Sequence, residues 1–92
     1  MRNLRTIKKD VEFLIGEVVD DCFIYLELNA EADVEKVGEI IGDALDLQDD
    51  LFDKINHRPE EIKADKYYRG VSKELVEGID ALYERLSALS KK

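Results

Sequence analysis

Several residue types are scarce in this chain of 92 residues, and each scarcity excludes a class of protein. Pro59 is the only proline and no Asn-Gly or Asp-Gly turn occurs, so we expect a few long secondary-structure elements. Cys22 is the only cysteine, which excludes an internal disulfide. Its apolar neighbours predict a buried, inert thiol in a reducing compartment. We therefore expect a cytoplasmic protein with no disulfide framework.

Long uninterrupted apolar runs are also missing. The most apolar stretch, residues 13–28, is broken by Glu17, Asp20, Asp21 and Glu27, so it does not predict a membrane span. The cations near the N-terminus are not followed by an apolar segment with a small-residue cleavage site, so we expect no export.

Lysine and arginine are nearly absent from residues 10–53, which hold fifteen acidic residues and only Lys36 as a cation. This segment has a net charge of −14, against −8 for the whole chain. Because 45% of the residues are apolar, the charge predicts a folded acidic surface and not a disordered tail. Phosphates and anionic lipids are repelled by such a surface, so we expect no membrane partner, a poor match to nucleic acid, and basic proteins as suitable partners.

The chain is rich in apolar residues that recur every three or four positions, a spacing that predicts amphipathic helices. The first helix spans about residues 3–28. Its stripe comprises Leu4, Ile7, Val11, Leu14, Val18, Cys22 and Tyr25. Residues 22–28 are also rich in aromatic and β-branched side chains, so a strand is the alternative for this end. No other segment of the sequence has an obvious strand pattern that could pair with residues 22–28.

The second helix spans about residues 33–56, with Asp33 as its N-cap. A connection of four or five residues makes it antiparallel to the first. The predicted seam is Val34, Val37, Ile41, Ala44, Gln48, Leu51 and Ile55, widened by Ile40, Leu45, Leu47 and Phe52 beside it. Gln48, its one polar member, either sets register or oligomeric state or reaches water at the edge. His57 is predicted to cap the end of this helix, with no catalytic partner in sequence.

The third helix spans about residues 60–90, starting after Pro59. Its stripe is Leu75, Ile79, Leu82, Leu86 and Leu89. Gly70 either kinks this helix or separates a short helix from the long one. Together the three segments predict an all-α, antiparallel up-down-up three-helix bundle that forms a single domain over residues 1–92.

Apolar residues on the first helix exceed what one monomer core can hold. Phe13, Ile24 and Leu28 share helical angles with acidic residues, so we expect them outside the core, on an interaction surface. Gly38 and Gly42 either indicate that another backbone passes close to the second helix, from the first helix or from a second subunit, or are glycines that the helix tolerates by chance. We expect a homodimer or docking on another protein.

Carboxylates recur at steps of three and four along one side of the second helix. They are Glu35, Glu39, Asp43, Asp46, Asp50 and Asp53. This ladder is predicted to belong to the interaction surface or to be solvated. The alternative is a carboxylate-rich metal-dependent enzyme or a metal-binding helical protein. We find no catalytic, metal-ligand or cofactor motif, and therefore predict a non-catalytic helical interaction module.

One basic and aromatic cluster interrupts the acidic pattern. Lys66, Tyr67 and Arg69 lie together and are the weaker candidates for nucleic-acid contact, because such residues stack on bases and grip phosphates. The alternative is structural, with the neighbouring tyrosine in the core and the cations paired to the acidic second helix.

Overall fold

Two short connections divide the chain into three helices in a computed structural model, which describes the backbone of residues 4–90 and the side chains of residues 6–90. The helices are α1 (Leu4–Leu28), α2 (Val34–Asn56) and α3 (Ala64–Ser90). Each packs against both others, in a body of 50 × 19 × 19 Å, and the described residues include no strand. The all-α three-helix fold is confirmed.

The boundary between α1 and α2 is formed by local caps. Asn29 donates its side-chain amide to the Tyr25 carbonyl at 2.8 Å, and the Asp33 carboxylate accepts from the Lys36 backbone N–H at 3.1 Å. Such contacts satisfy backbone groups that a helix end leaves without partners. Asp33 is the N-cap, as predicted. Residues 22–28 are helical, so the strand interpretation is wrong.

The third helix begins four residues later than predicted. The Ile62 N–H donates to the Pro59 carbonyl at 3.3 Å, which closes a turn. Arg58 donates its guanidinium to the Ile62 carbonyl, so that group is satisfied from outside the helix. The chain therefore turns once before α3 starts at Ala64. Gly70 lies inside one continuous helix, so the division into two helices is wrong.

The core lies along the shared inner side of the three helices. Among the side chains of residues 6–90, its buried members are Ile7, Val11, Ile15, Val18, Cys22, Val37, Ile40, Ala44, Leu51, Ile55, Val71, Leu75, Ile79 and Leu82. The stripes predicted for α1 and α3 contribute most of their members, while Leu4 lies outside the described side chains. Burial, with a contribution from the Asp21 charge, raises the pKa of the Cys22 thiol, as expected of an inert core cysteine.

The predicted seam of α2 is wrong at two positions. Val34 is 66% exposed, and Ile40, placed beside the seam, is buried at 2% while Ile41 is half-buried. The physical reason is that α2 packs against two helices at once, which rotates its buried stripe toward α3. Gln48 is half-buried at the margin of this stripe.

Tyrosine hydroxyls link α3 to the other two helices. The four bonds are Tyr25 to the Leu89 carbonyl (3.0 Å), Tyr67 to the Lys54 carbonyl (3.0 Å), Tyr68 to the Ile55 carbonyl (3.3 Å) and Tyr83 to the Asp21 carboxylate (2.6 Å). Each hydroxyl is part-buried, and every tyrosine of the chain takes part. Half-buried phenols thereby satisfy their one donor while their rings pack on the core.

Candidate docking surface

Several large apolar side chains of residues 6–90 are exposed, although the core of the bundle is filled by other side chains. They are Phe13, Phe23, Ile24, Leu28, Val34, Leu45, Ile62 and Val76. Six of the eight belong to α1 and α2. The predicted exposure of Phe13 (64%), Ile24 (50%) and Leu28 (78%) is confirmed, whereas their role in interaction stays a prediction. The exposure of Phe23 (52%) was not predicted. The prediction that Leu45 widens the buried seam of α2 is wrong, because this side chain is 45% exposed.

The positions of Phe23 and Leu45 around their helices place both side chains on the outer side of the α1–α2 pair. Tyr25 of α1 bonds α3, and Leu47 of α2 packs against Gly78 of α3. At about 100° per residue, Phe23 lies about 200° from Tyr25, and Leu45 lies about 200° from Leu47. Both therefore point away from α3. Two packed helices leave a shallow groove along their outer side, and helical phase places Phe23 and Leu45 on the two rims of this groove.

We name the outer surface around this groove the α1–α2 face. It comprises Phe23, Val34 and Leu45 with Gly16 and Gly38 between them, and Phe13, Ile24 and Gly42 at its outer edges. Leu28 lies only about 60° around α1 from Tyr25 and lines a groove with Leu89, so it belongs to the side of α1 next to α3. Because α1 and α2 are antiparallel neighbours, residues equally far from their connection lie at about the same height. Phe23 is therefore level with Gly38, and Leu45 is level with Gly16. At each level a large side chain on one helix lies across from a glycine on the other.

The glycines of this face are open notches. A Cβ added at Gly16, Gly38 or Gly42 would meet nothing within 4 Å, so the prediction that α1 passes close to the α2 glycines is wrong. A second subunit at that position stays a prediction. The close approach occurs instead at Gly78, where a Cβ would lie 2.6 Å from Leu47 Cδ2. The close contact at Gly78 depends on how α3 packs against α2, so the sequence of α3 alone could not predict it.

Carboxylates surround the α1–α2 face. The exposed acids on the outward flanks are Glu12, Asp20, Glu27, Glu35, Asp46, Asp49 and Asp53. Glu17 lies on the other side of α1, where its charge contributes to the raised pKa of Tyr83 in α3. Residues 10–35 contain no Lys or Arg. Lys36 lines a groove with Arg85 on the opposite flank of α2, and Lys54 lies 2.9 Å from Glu74 of α3. The cations of α2 are thus turned toward α3. Lys9 is exposed at the far end of α1.

The predicted acidic ladder of α2 divides between these two flanks. Asp43 accepts from Arg85 at 2.7 Å, and Asp50 lies 3.2 Å from Lys54. Glu39 lines the groove that also contains Arg85. The remaining members are Glu35, Asp46 and Asp53. Steps of three and four drift around a helix, so one sequence ladder supplies both flanks. The flank toward α3 is compensated by cations, and the outward flank is not.

Metal chemistry has no ligand set in the part of the chain that the structure describes. No three His, Cys, Asp or Glu side chains within residues 4–90 are grouped so that they could hold a metal ion. His57 is the C-cap of α2, as predicted, with Nδ1 2.9 Å from the Asp53 carbonyl oxygen and 3.1 Å from its carboxylate. The alternative of a metal-dependent protein therefore gains no supporting geometry among these residues.

The basic and aromatic cluster is partly structural. Tyr67 donates its hydroxyl to the Lys54 carbonyl, and its ring meets Tyr68 edge-on at 5.6 Å. The Tyr67 hydroxyl is therefore held by the fold, while Tyr67 and Lys66 both line an open groove of about 320 Å³. Nucleic-acid contact by this cluster stays a prediction. Lys66 and Arg69 are exposed. Within residues 6–90, the cations that form ion pairs with acids of α2 are Arg85, Lys54 and, if it is protonated, His57, and none belongs to this cluster.

One open groove adjoins the α1–α2 face at the end of the bundle. It has a volume of about 410 Å³ and is lined by Tyr25, Leu28, Leu89 and residues 29–33. No helix within residues 4–90 is long and apolar enough to cross a membrane. Comparison with known proteins finds no matching family model, no matching curated protein and no matching solved structure, so the interpretation of this surface depends on its own side chains.

Proposed function

We propose that this chain is a small, non-catalytic, cytoplasmic protein–protein interaction module that uses the α1–α2 face to dock on another protein or on a second copy. The observation that supports this most is the row of large apolar side chains exposed on α1 while the opposite side of the same helix is fully buried. Ile15, Val18 and Cys22 are each 2% exposed or less, whereas Phe13, Phe23 and Ile24 are at least half exposed.

These exposed side chains have little to contribute to the fold. A Phe, Leu or Ile side chain is stabilised by ~1.5–3 kcal/mol when it moves fully from water to an apolar contact. That gain is largely unrealised while half of the side chain is exposed, so it is available to a partner. Contiguous exposed apolar surface on a small protein marks interaction sites for this reason.

Site-specific photocrosslinking tests the proposal. A photoreactive phenylalanine analogue is placed at Ile24, and in a matched variant at Val76, an exposed apolar residue of α3 that is 53% exposed. In cells that produce the chain, we expect discrete adducts from position 24 and none from position 76. Equal and diffuse labelling from both positions would contradict a dedicated docking face.

Molar mass by light scattering separates the two kinds of partner. If a second copy covers the face, the purified wild-type chain is a dimer, and Ile24→Glu returns it to a monomer with unchanged helix content. If another protein covers it, both chains are monomers. A variant that loses helix content would instead show that Ile24 belongs to the core, and the proposal would fail.

A further inference from the structure

We infer that the α1–α2 face takes a cationic amphipathic helix of another protein. This inference rests on the proposed function, since it names the occupant of the same surface. The apolar rims supply the contact area, and the surrounding carboxylates select the charge of the partner. A helix that carries a narrow apolar stripe flanked by Lys or Arg matches both features at once.

The charge argument is specific to this face. The exposed acids around it are Glu12, Asp20, Glu27, Glu35, Asp46, Asp49 and Asp53. Residues 10–35 offer no cation in return, and Lys36 and Lys54 lie on the flank of α2 toward α3. Apart from Asp53, which lies 3.1 Å from His57, the carboxylates beside the groove form no ion pair with a cation of residues 6–90, and Lys9 lies at the far end of α1. Solvent ions or a partner supply their countercharge. Cations on a docked helix would replace those ions.

The shape of the groove suits a helix. The level of Phe23 and Gly38 is separated from the level of Leu45 and Gly16 by about seven residues, which is ~10 Å at 1.5 Å per residue. Side chains at positions i and i+7 of a ligand helix repeat at this distance and on one side of the helix. Two such side chains can enter the notches at the two levels, because a Cβ at Gly16 or Gly38 meets nothing within 4 Å.

A second copy matches the surface less well. A twofold dimer places identical patches against each other. Each chain would then bring the same seven outward carboxylates to the interface, and like charges that face each other across an interface disfavour association. Self-association through this face would be weakest at low salt. Docking of a cationic helix would be strongest there.

The test uses three labelled synthetic helical peptides with the same leucine stripe and with Lys, Gln or Glu at all flanking positions. Fluorescence anisotropy follows their binding to the full chain at 50 and 500 mM salt. We expect the Lys peptide to bind at least tenfold more tightly than the Gln peptide at low salt. High salt should reduce this advantage to less than threefold, and the Glu peptide should not bind.

Four variants locate the binding site: two replace apolar side chains by serine, and two replace carboxylates by amides. The double variant Ile24→Ser, Leu45→Ser should weaken the Lys and Gln peptides at least fivefold, and Val76→Ser should weaken neither. The double variant Asp20→Asn, Glu27→Gln should weaken the Lys peptide alone. A matched change on the outer side of α3, Asp80→Asn with Glu84→Gln, should alter binding less than twofold. Circular dichroism confirms that each variant stays folded.

The outcomes separate this inference from the proposed function. Equal binding of the Lys and Gln peptides, lost in the Ile24→Ser, Leu45→Ser variant, would overturn the cationic partner while the docking face stands. No peptide binding, together with a dimer that the same variant dissociates, would overturn it in favour of a second copy. A third outcome would overturn both proposals. In that outcome the chain is a monomer, it binds none of the peptides, and positions 24 and 76 give the same crosslinks.

Discussion

The two flanks of α2 have similar amounts of acid but differ in what surrounds it. Toward α3, Asp43 and Asp50 meet Arg85 and Lys54, and the packing is close enough that Gly78 leaves no room for a Cβ beside Leu47. Toward the outside, Asp46 and its neighbours flank exposed Leu45 and the open Gly38. The first flank is completed within the chain. The second lacks both countercharge and apolar cover, which are the two things that a partner supplies.

The largest expected difference is in the free energy of unfolding, between a leucine in the core of α2 and a leucine on its outward flank. Leu51→Ala should cost ~2–5 kcal/mol, because Leu51 is 0% exposed and its removal leaves a cavity. Leu45→Ala, the same change on the same helix at a side chain that is 45% exposed, should cost below ~1 kcal/mol. Urea unfolding measures both. A cost at Leu45 similar to that at Leu51 would show that Leu45 completes the core.

A smaller effect concerns the polar links of α3. Tyr83→Phe removes the 2.6 Å bond to Asp21 and should lower the free energy of unfolding by ~1 kcal/mol. Burial, followed by this bond, raises the pKa of Tyr83. The stabilisation by the protonated phenol is therefore complete below the unfolded-state pKa of ~10 and is lost as the pH rises above it.

Denaturant midpoints between pH 8 and 11 measure this dependence. Wild type should lose stability above pH ~10 more steeply than Tyr83→Phe does. The control is Tyr25→Phe, which removes a hydroxyl that donates to the Leu89 carbonyl and not to a carboxylate. Identical pH profiles for wild type and Tyr83→Phe would contradict the role assigned to the Tyr83–Asp21 bond.

Glycine substitutions compare the open and the closed side directly. Gly38→Ala should stabilise the isolated chain by ~1 kcal/mol, because alanine favours a helix and its Cβ would enter open space. Gly78→Ala should gain less or lose stability, since Leu47 must shift to admit the new Cβ. Thermal melting measures both. A greater gain at Gly78 than at Gly38 would contradict the packing described for α3.

The smallest expected effect is a difference in sign between two aspartates of α2. Asp43→Asn should destabilise by ~0.2–1 kcal/mol through loss of its half-exposed pair with Arg85. Asp46→Asn should stabilise by ~0.2–0.5 kcal/mol, because it relieves repulsion along an uncompensated flank. Both effects should shrink in 1 M salt. The same sign for both variants at low salt would remove the distinction between the flanks.

Much of the fold could be predicted because its determinants are local. Asn29 and Asp33 cap adjacent helices through contacts three or four residues away, so sequence spacing located the connection. The start of α3 depends on Arg58 reaching the Ile62 carbonyl, a side-chain contact that propensity does not encode. The predicted start at Glu60 was wrong for that reason.

The candidate site was predictable only in part for a similar reason. Phe13, Ile24 and Leu28 share angles with acids, so their exposure follows from α1 alone. Phe23 and Leu45 lie at angles where exposure depends on the position of the neighbouring helix, which one-helix periodicity does not contain. The same limit explains why close packing was expected at Gly38 and is found at Gly78.

The five glycines provide the most direct test of the account, because they are distributed over both regions. Gly16, Gly38 and Gly42 lie on the α1–α2 face, while Gly70 and Gly78 lie on α3. Titration of the ¹⁵N-labelled chain with the Lys-flanked peptide should shift the amide resonances of the first three and leave the other two unchanged. Shifts at Gly70 or Gly78 with none at the face glycines would contradict the assignment of the α1–α2 face as the docking surface.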